Sequence, residues 1–109
     1  MRSGTVMVDG IPAGALSEEN GEYRFSYFDE YLANHEARAV SLTLPKRTES
    51  YVAEQLFPFF AGLLTEGAAM QLQCRQLKID ENDLFGRLLK TAHGDVIGNV
   101  SVLETIEGE

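Results

Sequence analysis

Polar and apolar positions alternate at a period of two in the first half of the chain, then at a helical period in the second. Thr5–Val8 is a short β-branched run, and the DGIPAG that follows is a string of turn formers. Ala13–Leu16 is expected to return as the second arm of a hairpin, closed by the polar loop EENG. In EYRFSYF, Tyr23, Phe25 and Tyr27 fall on one side and Arg24 and Ser26 on the other, the signature of a half-buried strand with an aromatic inner face. Phe28 breaks that alternation, and FDEYLANHEA reads as a helical turn or an irregular connection. AVSLTLP alternates again, placing Val40, Leu42 and Leu44 on one side. Pro45 removes a ladder donor at its end, so the segment is expected to be an extended edge or short strand.

From Ser50, a plausible N-cap, the period lengthens. Val52, Leu56, Phe59 and Leu63 form one helical stripe, expected in the core, and Ala53, Phe57, Phe60 and Leu64 form a second beside it. Pro58 either kinks this helix or starts a new one after Phe57. Thr65 is the expected next N-cap, with Glu66 near the positive end of the helix dipole, and Met70, Cys74 and Leu77 share a face of the helix that follows. Another helix is expected from Asn82 or Asp83, with Phe85, Leu89 and Ala92 as its stripe, ending at Gly94. Asn99–Leu103 reads as a strand and TIEGE as a polar tail. Strands first, helices next and a closing strand indicate an α+β fold, a small mostly antiparallel sheet packed against about three helices, in one domain spanning 1–109.

Composition narrows the function classes. The chain has 109 residues, 44% apolar and 24% charged, enough for one core without staples. One cysteine cannot form an internal disulfide. The N-terminus is too short of apolar residues for a signal peptide, and no run approaches the ~20 residues that span a bilayer, so a cytoplasmic location is expected. Nine basic residues are scattered against seventeen acidic ones, a net charge of −8, which argues against direct nucleic-acid binding.

Little in the chain points to catalysis, a cofactor or a metal. His35 lies in a loop and His93 at a helix end, without close-spaced zinc partners. Cys74 sits in an apolar stripe, where an inert core thiol is the simpler assignment. DENDLFG resembles a calcium loop superficially, but Leu84 and Phe85 occupy the positions that need an oxygen ligand and glycine. Phosphate-cradling and kinase catalytic-loop motifs are also missing.

Three blocks in order, AVSLTLPKR, FPFFAGLLTEGAAM and DENDLFGRLLKTAHGDVIGNVSVL, together resemble the N-terminal subdomain of HipA-type serine/threonine kinase toxins. The shared pattern is a Leu-rich segment ending in Pro and a basic residue, a paired-Phe helix ending in Leu-Leu, and a Phe-Leu-Leu helix leading through Gly-Asp to a last strand. Thr65 stands where the family commonly has proline, and Asn99 where alanine is frequent. The family's ATP-binding, magnesium-binding and catalytic residues belong to a kinase core that this chain lacks, so the resemblance implies no kinase activity. It implies instead a small protein like the antitoxin of three-gene (HipBST-like) systems. Such a protein would bind and restrain a HipA-like kinase without its own N-terminal subdomain; the alternatives are a structural subunit that completes a split kinase, or a corepressor that bridges the kinase and a helix-turn-helix DNA-binding antitoxin. The connection Leu64, Thr65, Glu66, Gly67 has two readings, a capped corner or a kinase-facing contact, since helix connections run over the surface.

Overall fold

Two Asx-Gly dipeptides set the register of the sheet. Asp9 and Gly10 have φ of 53° and 80°, and Asn20 and Gly21 repeat the same pair of values. Two consecutive left-handed residues are what a two-residue hairpin needs to match the twist of its strands. The chain therefore reverses tightly twice, giving β1 (Arg2–Val8), β2 (Ile11–Glu19) and β3 (Glu22–Tyr27), with Val8 opposite Ile11 and Glu19 opposite Glu22. The second strand starts earlier than the Pro-containing sequence predicts. Pro12 is accommodated because the register shifts between Val6 and Met7, a bulge of the kind that tolerates proline in a sheet. The computed structural model describes residues 1–64, 66–92 and 99–105.

Two further strands complete an antiparallel sheet in the order β4-β3-β2-β1-β5, where β4 is Tyr51–Ala53 and β5 is Val100–Thr105. One sheet face is the core floor, with Val6, Val8, Leu16, Phe25, Tyr27, Val100 and Val102 all buried. Gly14 is required there, because a Cβ would stand 2.4 Å from the Ser26 carbonyl oxygen and 2.8 Å from the Phe25 ring. Tyr23, Phe25 and Tyr27 do face inward as the alternation predicts, with Tyr23 half-buried.

Among the described residues, four helices accompany the sheet: α1 (Asp29–Ala33), α2 (Pro58–Ala61), α3 (Gly67–Leu77) and α4 (Leu84–Thr91). The expected stripe of α4 holds, with Phe85, Leu89 and Ala92 at 3% exposure or less, joined by Leu88. Asp83 caps the helix by accepting from the Gly86 N–H at 3.1 Å, and the far end is tied to the sheet where the Val102 N–H donates to the Ala92 carbonyl. Arg2 clamps the near end: it reaches Asp83 at 2.8 Å and Glu18 at 3.2 Å, and its guanidinium stands 5.4 Å from the centre of the Phe85 ring.

The clamp gives a pH prediction. Its hydrogen bond to Arg2, aided by the Gly86 N–H, holds the Asp83 carboxyl below the ordinary range despite partial burial. A depressed carboxylate pKa stabilises the fold above the unfolded value, about 3.9, and that stabilisation disappears as pH falls through the folded value. Asn caps helices as well as Asp does, so Asp83→Asn isolates the charge. The variant is expected to unfold at slightly lower denaturant at pH 7, by a few tenths to about 1 kcal/mol for so exposed a pair. The gap should close as pH falls through the depressed folded value; a gap that persists once the carboxyl is protonated in both states would show that the charge is not its source.

Two expected elements are corrected. The continuous helix from Ser50 does not form: Ser50 shares a hydroxyl hydrogen bond with Ser26, and Tyr51–Ala53 pairs with β3 instead. Pro58 is the first residue of α2, where its missing N–H costs nothing, so a new helix after Phe57 is the alternative that forms. Of the first stripe, Leu56 is buried, Phe59 and Leu63 are half-buried, and Val52 is 50% exposed on the edge strand, so it is not a core residue. Phe57 and Phe60 of the second stripe fill the core.

AVSLTLP is not extended either. Ser41 and Leu44 close a tight turn, with the Leu44 N–H on the Ser41 carbonyl at 3.0 Å. Val40 and Leu44 point inward, but Leu42 at the apex is completely exposed. Farther on, Glu66 is the N-cap residue of α3, and Thr65, His93 and Gly94 lie outside the described residues. Cys74 is buried, whereas Leu77 is exposed, so the predicted face of α3 is only partly covered.

Candidate partner-binding surface

The described residues offer no catalytic arrangement. His35 is exposed in a loop, Cys74 is buried in α3, and among the described residues no group of three or more His, Cys, Asp or Glu is placed to hold a metal ion. No helix of the described residues is long and apolar enough to cross a membrane. Arg87 of α4 is buried and donates to the Glu81 carbonyl at 3.2 Å. What the chain does offer is surface of unusual character in three places.

The first is the connection 34–50 between α1 and β4. Structureless connections longer than about 15 residues are uncommon in compact domains and are usually functional or disordered. This one is ordered by aromatic pegs. The buried Tyr27 hydroxyl accepts from the Val40 N–H at 2.9 Å and donates to the Leu44 carbonyl. The Tyr31 hydroxyl donates to the Arg38 carbonyl at 2.6 Å, and that of Tyr51 to the Pro45 carbonyl. Burial pushes the phenols of Tyr27 and Tyr31 up from their ordinary value, so both remain donors across the physiological range. Lys46 donates to the Asn34 and Ala37 carbonyls at 2.8 and 2.9 Å, and Arg47 lies 3.6 Å over the Tyr51 ring. The adjacent basic pair is thus occupied in holding the loop. At the apex, Ser41 and Thr43 hydrogen-bond to each other and leave Leu42 standing in solvent.

The second place is the turn the sequence nominates. Leu64 is half-buried and packs on the core, Glu66 and Gly67 are exposed, and Thr65 lies outside the described residues. Gly67 has φ of 68°, and a Cβ there would meet nothing within 4 Å. Glycine is needed for backbone conformation, not for space. The structure therefore brings Glu66 and Gly67 together on the surface and turns Leu64 inward.

The third is the sheet face opposite the core. The alternation places Ser3, Thr5, Met7, Ala15, Ser17 and Ser26 on it, with Arg24 paired to Glu22 at 3.1 Å. Small uncharged side chains predominate on it beside the Arg24–Glu22 ion pair. Near it, between the first hairpin and α1, Ile11, Pro12, Phe28 and Tyr31 line a shallow cavity of about 550 Å³ with Asp29 and Glu30 on its rim. Sequence reasoning missed Leu42 and the apolar lining from Ile11 and Phe28. Phe28 gave a signal, as the residue that broke the strand alternation; Leu42 gave none, because its neighbours alternate as a strand would.

The described residues thus form a five-stranded antiparallel sheet, with the last strand beside the first, accompanied by short helices. The chain matches the HipA N-terminal domain family over residues 4–103 and belongs to that family. A solved structure described as the N-terminal domain of HipA toxin superimposes with a TM-score of 0.73 at 28% identity, covering 98% of this chain and 95% of that one. An uncharacterized protein of Haemophilus influenzae is 32% identical over 104 residues, 95% of this chain and 93% of that protein. The protein named "Putative kinase Y4mE" of Sinorhizobium fredii is 30% identical over 96 residues, but the match spans just 23% of its length.

Proposed function

We propose that the protein is a non-catalytic regulatory subunit, an antitoxin, that binds and restrains a HipA-like serine/threonine kinase lacking its own N-terminal domain. One observation carries this reading. The same unit is matched inside a much longer protein named as a kinase, as 23% of it, and in a relative of nearly its own length, 93% of which is covered. A domain that packs beside a kinase core within one chain presents a surface that a separate copy can offer in trans. What separation removes is effective concentration, not the contacts. A docked copy restrains the kinase by covering its active site or by holding its lobes in an unproductive arrangement. The turn of Leu64, Thr65, Glu66 and Gly67 is a proposed contact of that interface. The net charge of −8 leaves DNA to a helix-turn-helix partner, which completes the system in this reading.

The test is autophosphorylation of a HipA-like kinase that naturally lacks this domain, measured with increasing amounts of the protein. Suppression saturating near equal molar amounts is expected. Unchanged or stimulated phosphorylation despite binding would instead make the protein a structural subunit that completes a split kinase. No association at about micromolar concentration, some 8 kcal/mol, would end the reading altogether.

A further inference from the structure

We infer that Leu42 is the anchor by which this protein docks into an apolar pocket of its kinase partner, with the tyrosine-pegged connection 34–50 as the rigid arm that presents it. The inference rests on the proposed kinase partnership and adds the residue and the chemistry of the contact. Four observations converge on it. Leu42 is 100% exposed, more than any other large apolar side chain among the described residues. It occupies a turn apex, where Gly, Asn, Asp or Ser would serve the backbone as well and water better. Places where a local rule is broken without structural gain are where functional residues concentrate.

The arm is also unusually fixed for a surface loop. Tyr27 pins Val40 and Leu44 on either side of the apex, Tyr31 pins Arg38, Tyr51 pins Pro45, and Lys46 bridges back to Asn34 and Ala37. An anchor already held in one conformation loses little freedom on binding, which is the usual route to a strong single contact. Finally, the run from Val40 to Pro45 contains no charge, in a chain of which 24% is charged. A partner closing over the apex desolvates one leucine, two hydroxyls and turn backbone, and no ion. That surface fits a pocket that is apolar at its base with hydrogen-bonding groups at its rim. A charged groove does not suit it.

The experiment measures affinity for the same naturally shortened kinase with four proteins: wild type, Leu42→Ser, Leu42→Met and, as control, Leu72→Ser at an exposed leucine of α3. Because Leu42 is fully exposed, the thermal midpoint of Leu42→Ser should match wild type, so a change in binding is not a change in folding. Full burial of a leucine corresponds to about ten- to a hundredfold in affinity. Leu42→Ser is therefore expected to bind at least about tenfold more weakly, Leu42→Met within about threefold of wild type, and Leu72→Ser unchanged. Wild-type affinity in Leu42→Ser, or equal losses in Leu42→Ser and Leu72→Ser, would overturn the anchor and leave the partnership standing. Failure of the wild-type protein itself to bind would overturn the partnership, and the anchor with it.

Discussion

Replacement of Phe60 by alanine is expected to lower the stability of the domain by about 3–5 kcal/mol, a large part of what a domain of this size possesses. The ring is fully buried and lies 5.7 Å from Phe25, 6.3 Å from Phe57 and 5.3 Å from Phe59, centre to centre. It is thus where α2 meets the sheet, since Phe25 is the middle of the aromatic inner face of β3. A helix of four residues has no stability of its own, so its position depends on what it buries. Alanine removes the ring from between Phe25, Phe57 and Phe59. Phe25 is held in place from below by the close approach of Gly14 on β2, where even a Cβ would not fit, so the cluster cannot fully collapse into the gap. Phe60→Leu, closer in volume, should lose less than half as much. Urea unfolding of both variants provides the measurement. A loss under about 1 kcal/mol for Phe60→Ala would mean that α2 is not the lid of this core.

The contrast between β3 and the segment 50–64 explains what the sequence could disclose. In EYRFSYF each inward position is aromatic and each outward one polar, so period and burial agree and the strand is legible. From Ser50 onward, apolar residues are dense enough to fit two helical stripes at once, and a pattern that fits everywhere discriminates nothing. What decides there is non-local. Ser50 finds Ser26, Tyr51 faces Phe25 across the ladder, and the proline then permits a helix only from its own position. The α4 stripe was legible for the same reason as β3, with Asp83 capping it at the expected place. The candidate surface was legible only where chain punctuation marks it. Gly67 announces a left-handed turn, whereas Leu42 is exposed because Tyr27, far away in sequence, draws Val40 and Leu44 inward around it.

Tyr27→Phe isolates that last relation, and its expected cost is about 2–6 kcal/mol although it removes a single oxygen. The hydroxyl serves two backbone groups, the Val40 N–H and the Leu44 carbonyl, in a buried site. Each buried group left without a partner costs about 1–3 kcal/mol, and the two losses fall on one turn. Tyr31→Phe is the internal comparison. It removes one bond, to the part-buried Arg38 carbonyl, and should cost about 0.5–1.5 kcal/mol. Equal losses in the two variants would show that Tyr27 does not carry both flanks of the apex. The functional consequence differs in kind from that of changing Leu42. In Tyr27→Phe the anchor side chain is intact but its arm is released, so binding should weaken through the added cost of ordering the loop at association. Amide exchange at Val40 should quicken in the same variant, because its partner is gone. Weakened binding together with faster exchange at Val40 would tie recognition to the rigidity of the loop. Faster exchange with unaltered binding would separate them, and Leu42 would then act without its arm.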